Sequence, residues 1–351
     1  EWQDILHFSQ HFHLTHRMIL LPGPNKLFKK TDMEKILCGV DLGGTKLSAG
    51  LVNGAGQIID KKTVYDHTAK SEDGIVKYIT ELVRQLLESN KVKEEDLMGI
   101  GVGFPGHVRY RDGYTITTSN LKGFKNYPLR DSIAKNFSVP VKLDNDANAQ
   151  AFCEYKFGAG RGYEDLIFLT ISTGIGAGII LNGKVFRGIT GTAGEFGHTI
   201  VDLNSEFTCT CGNRGCLMGI ACGLSLPQRF KSKIEKGVPT KLPVGDDFDF
   251  TKVDGKIIRQ GLDIDDPVSK SIVTECADYI GIGVYNIFQV FNPPVIILGG
   301  GLMNLGDYYL ERIRSKFYEL ARDMIFDPIA IVRSEAEADA GLIGAAALLL
   351  E

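Results

Sequence analysis

Four side chains in the second half of the chain have the spacing of a metal site. His198 is followed by Cys209, Cys211 and Cys216. Three thiolates and one imidazole make a closed tetrahedral set of the structural zinc type. Free thiols clustered in a loop as polar as Gly212-Asn213-Arg214-Gly215 would gain little from burial alone. The chain holds seven cysteines, an odd number, with only these three close together. That distribution points to metal binding in a reducing compartment rather than to a disulfide framework. Glu195, just upstream, can accept hydrogen bonds from a ligand or cap a turn.

A second group is Asp144-Asn145-Asp146. It stands at the carboxyl end of an apolar strand expected over 139–143 and at the start of a helix expected over 147–156. Ligands of open α/β sheets bind at that edge. A carboxylate there can orient an attacking hydroxyl and accept its proton during phosphoryl transfer. Asn145 can donate to and accept from hydroxyls. Aspartate is also a favoured helix cap. Successive side chains diverge, so the spacing leaves open which aspartate does the chemistry.

Two glycine-rich turns complete the set. Gly43-Gly44-Thr45-Lys46 follows Asp41, and Ser172-Thr173-Gly174-Ile175-Gly176 follows a second apolar run. Without side chains, successive backbone N–H groups can approach phosphate oxygens as an anion-binding nest, and Thr45 and Thr173 add hydroxyl donors. Neither turn is a P-loop, and a hairpin rather than a helix follows the second, which excludes a dinucleotide fingerprint. Asp41 supplies a carboxylate of the kind that Mg²⁺ takes beside nucleotide phosphates. Gly299-Gly300-Gly301, with Leu302 and Asn304, lets backbone approach a flat or charged group such as adenosine.

The elements that position these residues repeat. A strand at 36–40, the first turn, a strand at 47–52, an Asn53-Gly54 hairpin and a strand at 57–65 are followed by a helix over 73–88 with apolar residues at helical spacing. The second half repeats strand, turn, strand and Asn182-Gly183 hairpin. Two copies of one unit imply an α/β protein of two similar lobes facing across a cleft. A polar connector is expected over 231–266, a long helix over 267–291, and a last apolar helix over 340–350 that packs back on the first lobe. The first lobe is therefore expected over 34–148 plus 340–351, and the second, with its cysteine-rich loop, over 149–339. Residues 1–33 carry four of the seven histidines (His7, His11, His13 and His16) without sustained periodicity and read as a leader or disordered extension, with Met33 a candidate start.

The composition is that of an ordinary globular chain of two domains: 351 residues, 44% hydrophobic and 23% charged. A net charge of −4 supplies no broad attraction for nucleic acid or an anionic membrane surface. No apolar run approaches the roughly 20 residues that span a bilayer. A cytoplasmic protein is expected.

From Lys35 to the C-terminus the motifs resemble the ROK family, within the sugar-kinase and actin superfamily. The resemblance rests on Asp41-Leu-Gly-Gly-Thr-Lys46, Asn145-Asp-Ala-Asn-Ala149, Gly194-Glu-Phe-Gly-His198, Cys209-Thr-Cys-Gly-Asn-Arg-Gly-Cys216 and Gly299-Gly-Gly301, in that order. It implies two actin-like (ribonuclease H-like) lobes closing on a hexose and ATP·Mg²⁺, usually in a homodimer. It implies Asp146 as the base and Asn145, Glu195 and His198 on the sugar, so that His198 would serve both Zn²⁺ and substrate. Gly106 and Asn120 look similar to family positions lining the same pocket. One departure stands out: Cys216-Leu217-Met218 replaces the family's Cys-Leu-Glu run, whose glutamate meets a sugar hydroxyl. A thioether cannot usefully accept that bond, which leaves the choice of sugar open. Regulators of the family carry a DNA-binding element ahead of the kinase-like part. The 33 residues before the first motif here lack amphipathic helices, so an enzyme that phosphorylates a hexose such as glucose, and no nucleic-acid partner, is expected.

Overall fold

The computed structural model describes residues 33–351 except 68, 69, 119, 120, 122, 246 and 328. The expected leader, Met33 apart, lies outside the described residues, and so does Asn120.

The first half builds β1 (Ile36–Leu42), β2 (Leu47–Asn53), β3 (Ile58–Val64), α1 (Glu72–Ser89), β4 (Leu97–Phe104), β5 (His107–Arg109), β6 (Tyr114–Thr117), α2 (Leu129–Ala134), β7 (Val141–Asn145) and α3 (Asp146–Phe157). The second builds β8 (Leu166–Ile171), β9 (Ile175–Leu181), β10 (Lys184–Val185), α4 (Leu217–Ala221), α5 (Leu226–Glu235), α6 (Gly255–Asp263), α7 (Pro267–Phe291), β11 (Val295–Gly299), α8 (Asp307–Ala321), β12 (Ala330–Arg333) and α9 (Ala340–Ala347). The sheets have matching orders, β3-β2-β1-β4-β7 and β10-β9-β8-β11-β12. In each, an antiparallel meander leads into two parallel crossovers. The internal repeat expected from the sequence is thus a repeat of topology.

Local chemistry explains the best-marked helices. Ser71 caps α1 by accepting from the Gly74 N–H, Glu72 and Asp73 lie at its positive end, and Ile75, Ile79, Leu82, Val83 and Leu86 turn inward. Each such side chain contributes about 1.5–3 kcal/mol through burial. Asp266 caps α7, Pro267 occupies its first turn, and left-handed Asn292 stops it. Gly281 and Gly283 permit close packing there. A Cβ on Gly283 would stand 2.6 Å from a Leu217 methyl.

The polar connector expected over 231–266 is corrected. It contains the end of α5 and all of α6, and Phe248 and Phe250 pack on the buried Phe230. Its apolar residues are sparse along the chain and come together only in three dimensions.

Helices α3 and α9 join the two sheets. α3 lies on β8 and β9, α9 lies on β1 and β4, and the two helices pack on each other. Small residues permit this. A Cβ on Gly101 of β4 would stand 1.8 Å from the Ala345 carbonyl oxygen, and one on Gly344 2.1 Å from that of Ala149.

Candidate active site

β1, β4 and β7 run parallel, with Asp41 opposite Gly103 and Gly103 opposite Asp144. Their carboxyl ends therefore present Asp41 and the Asp144–Asp146 segment along one sheet edge. The two aspartates differ in what each touches. Asp144 is buried, accepts from Asn148 Nδ2 at 2.9 Å, and is paired with Arg187 Nε at 2.7 Å. Burial opposes its charge, and Arg187 offsets that. Arg187 also pairs with Glu351 and stacks on Tyr110, 3.8 Å from the ring centre. Asp144 is thus committed to a structural ion pair.

Asp146 opens α3 but does not cap it. The cap is Asn145, whose Oδ1 accepts from the N–H groups of Ala147 and Asn148, while its Nδ2 donates to the Gly106 carbonyl at 3.0 Å. This joins Gly106 to Asn145, and it commits much of the Asn145 amide within the fold. Among the described residues, the Asp146 carboxylate accepts from the Ala147 N–H, at 2.9 Å. Burial first, then the charges of Asp41 and Glu195, push its pKa up to about 7. A general base is most effective near that value at neutral pH.

Asp41 sits with Lys46 Nζ at 3.7 Å. Burial and Asp339 raise its pKa, while Lys46 pulls it down. In the first turn Gly43 N–H donates to the Lys46 carbonyl, whereas the N–H groups of Gly44, Thr45 and Lys46 find no backbone acceptor among the described residues. In the second turn the Ser172 and Thr173 carbonyls are held by the N–H groups of Gly223 and Leu224, at 2.7 and 3.1 Å. Thr45 and Thr173 are both exposed. Each turn is tied back through carbonyls, which leaves donors for an anion. A Cβ on Gly176 would meet that of Ala147 at 3.4 Å, so the second turn leads into the strand beside the start of α3.

The Gly299–Gly301 run abuts this turn. Gly300, at φ 90°, lies so near β8 that a Cβ would stand 2.5 Å from the Ile171 carbonyl oxygen. Its glycine is thereby explained by packing. Gly301 is exposed, with room for a Cβ 3.5 Å from Ser172 Oγ.

Gly194 and Gly197 bring the 194–198 segment onto β9. Cβ atoms there would stand 2.4 and 2.2 Å from the carbonyl oxygens of Ala177 and Ile175. Glu195 makes no cap bond to the short turn that follows. Its carboxylate instead lies 3.1 Å from His107 Nε2 and 3.9 Å from His198 Nε2. The Glu195 hydrogen bond raises the pKa of His107. His107 is a contact the sequence reading missed, because nothing in β5 signals a partner nearly 90 residues away.

His198 turns its other nitrogen to the cysteines. Nδ1 lies 3.5 Å from Cys209 Sγ, Cys211 and Cys216 sulfurs are 3.6 Å apart, and all four ligand atoms fall within 4.8 Å of one another. Zn–S bonds of about 2.3 Å place tetrahedral sulfurs about 3.7 Å apart. The donor set therefore fits zinc in type and spacing. Met218 sits beyond it, with its sulfur 3.3 Å from where a Cβ on Gly174 would stand. Its thioether thus lies against the second turn.

The chain is similar to several known proteins. A glucokinase from Halalkalibacterium halodurans is 32% identical over 309 residues, 87% of this chain and 92% of that protein. The structure of a ROK family glucokinase from Streptomyces griseus in complex with glucose and AMPPNP is 33% identical, with a TM-score of 0.74 over 89% of this chain and 98% of that one. A xylose repressor from Caldicellulosiruptor bescii is 30% identical over 90% of this chain and 78% of its own length. The sequence profile of the ROK family matches residues 37–351, so with two matching sheets, a cysteine–histidine cluster and a carboxylate at the sheet edge, this chain belongs to the ROK family.

Proposed function

We propose that this protein transfers the γ-phosphoryl group of ATP to a hydroxyl of a hexose, glucose first and another hexose or N-acetylhexosamine next. The observation that carries the reading is Asp146, a carboxylate at the carboxyl edge of the sheet whose pKa is pushed up to about 7. In the proposed step one hydroxyl oxygen of the sugar, that of the 6-position first, attacks the γ-phosphorus. Its proton passes to Asp146, the bond from phosphorus to the β,γ-bridging oxygen breaks, and ADP leaves with that electron pair.

Asn145, Gly106, Glu195 and His198 would form the sugar end of the proposed site, and the family resemblance adds Asn120. Gly43, Gly44, Thr45, Lys46, Thr173 and Gly174 hold the phosphates, and Gly300 and Gly301 border the adenosine. Asp41 would hold Mg²⁺, whose charge neutralises the phosphates. His198, Cys209, Cys211 and Cys216 would hold a structural Zn²⁺ that orders the loop and orients the imidazole. The free state of all seven cysteines supports a cytoplasmic setting, and among the described residues no helix is long and apolar enough to cross a membrane. The lobes at 34–148 with 340–351 and at 149–339 would close on the substrates, within a homodimer.

The test is ADP release by the full chain with MgATP across aldoses, ketoses and N-acetylated hexoses, beside Asp146→Asn. Sugar-dependent release that the variant loses supports the reading. The similarity to xylose repressors favours a second reading, a sugar-sensing regulator. Sugar binding by calorimetry with no ADP release from any sugar would favour it over the kinase.

A further inference from the structure

His67 lies outside every motif the sequence singles out, yet it is fully buried and its Nε2 lies 2.7 Å from the Gly43 carbonyl oxygen. A carbonyl only accepts, so Nε2 carries the proton and donates. Nδ1 is buried with no hydrogen-bond partner among the described residues. Burying an imidazole for one hydrogen bond gains little unless that bond holds something of consequence.

What it holds is the peptide between Gly43 and Gly44. In a planar trans peptide the C=O and the N–H point in opposite directions. Fixing the Gly43 oxygen on His67 therefore turns the Gly44 N–H away from the buried imidazole, on the side where Thr45 is exposed. The neighbouring Gly43 N–H is already taken by the Lys46 carbonyl at 2.9 Å. Two glycines in succession otherwise leave this peptide free to flip. A flipped peptide would present an oxygen, not a donor, to an anion.

We propose that His67 is a positioning residue for nucleotide phosphates, locking the Gly43–Gly44 peptide with its N–H available to the anion. This rests on the proposed nucleotide site at the first turn. The second turn achieves the same end through backbone donors from Gly223 and Leu224. Only the first turn depends on a side chain for it.

The experiment compares His67→Leu and His67→Gln with the parent. Glutamine can place an amide N–H near the Nε2 position, and leucine cannot donate. Calorimetric binding of MgADP, and KM for ATP and for the sugar where turnover is found, are measured beside thermal unfolding. Loss of the lock is expected to weaken MgADP and raise KM for ATP about tenfold in the leucine variant, the effect of one hydrogen bond to a charged-site donor. KM for the sugar should stay within about twofold, and glutamine should recover most of the loss. Unchanged MgADP affinity in a folded leucine variant overturns the proposal. So does a parallel loss of sugar and nucleotide binding, which marks a merely structural residue. If leucine does not fold, the glutamine variant decides alone: near-parental MgADP binding is required. A parent that binds no MgADP overturns the nucleotide reading itself, a result separate from any difference between variants.

Discussion

Replacing Asp146 by asparagine separates what this carboxylate does to stability from its proposed role in catalysis. Burial, with Asp41 and Glu195 nearby, lifts its pKa from 3.8 to about 7. A carboxylate that holds its proton more tightly in the folded state stabilises that state below its unfolded pKa and loses the contribution as pH rises through the folded one. Ionisation therefore weakens the fold progressively between about pH 4 and pH 7, with no further change above. A rise of roughly three pKa units corresponds to about 4 kcal/mol. Solvent at the half-buried group reduces the expected difference to about 2 kcal/mol. Asparagine keeps an acceptor for the Ala147 N–H without the charge. Asp146→Asn should thus match the parent near pH 4 and exceed it by about 2 kcal/mol at pH 8, while kcat falls about 100-fold or more. Urea unfolding of both proteins from pH 4 to 8, without nucleotide, sugar or Mg²⁺, gives the first quantity, and ADP release gives the second. In the parent kcat/KM should drop as pH falls through about 7, where the base takes up its proton. A stability difference that does not vary with pH, or a kcat near the parent's, would refute the reasoning.

The neighbouring aspartate should behave in the opposite sense. Asp144→Asn leaves Arg187 with Glu351 alone and is expected to destabilise by about 3 kcal/mol, read as a lower urea midpoint, because it breaks a buried pair. Cys211→Ala, or chelation, should remove about one Zn²⁺ per chain by elemental analysis and lower both Tm and sugar affinity, since metal and loop order are coupled. Protein prepared with zinc available and found free of it would contradict this. Met218→Glu sets a carboxylate against Gly174, so KM for ATP should rise severalfold. If instead only the ranking of sugars by kcat/KM changes, the side chain faces the sugar, as the family's glutamate does.

Much of the fold and site is legible in the sequence because it depends on local chemistry. Ser71 with Glu72 and Asp73, Asp266 with Pro267, and the Asn-Gly hairpins mark their elements whatever surrounds them. His198 and the three cysteines mark a candidate metal site by ligand type and spacing, and the two glycine turns stand out by lacking side chains. Gly194 and Gly197 were visible as a motif, but their reason, two close approaches to β9 carbonyls, was not.

Other properties arise only when distant segments meet. Asp144 and Asp146 are alike in sequence. Arg187, more than forty residues away, claims one, and burial beside Asp41 raises the pKa of the other. His67 and His107 carry no local mark because their partners, Gly43 and Glu195, are brought to them by the packing of other elements. Sequence thus determined which groups are present and what local structure they favour. The tertiary structure decided which are buried, which are paired, and which are left with a proton to accept, because desolvation and Coulomb interactions depend on distance in space rather than along the chain.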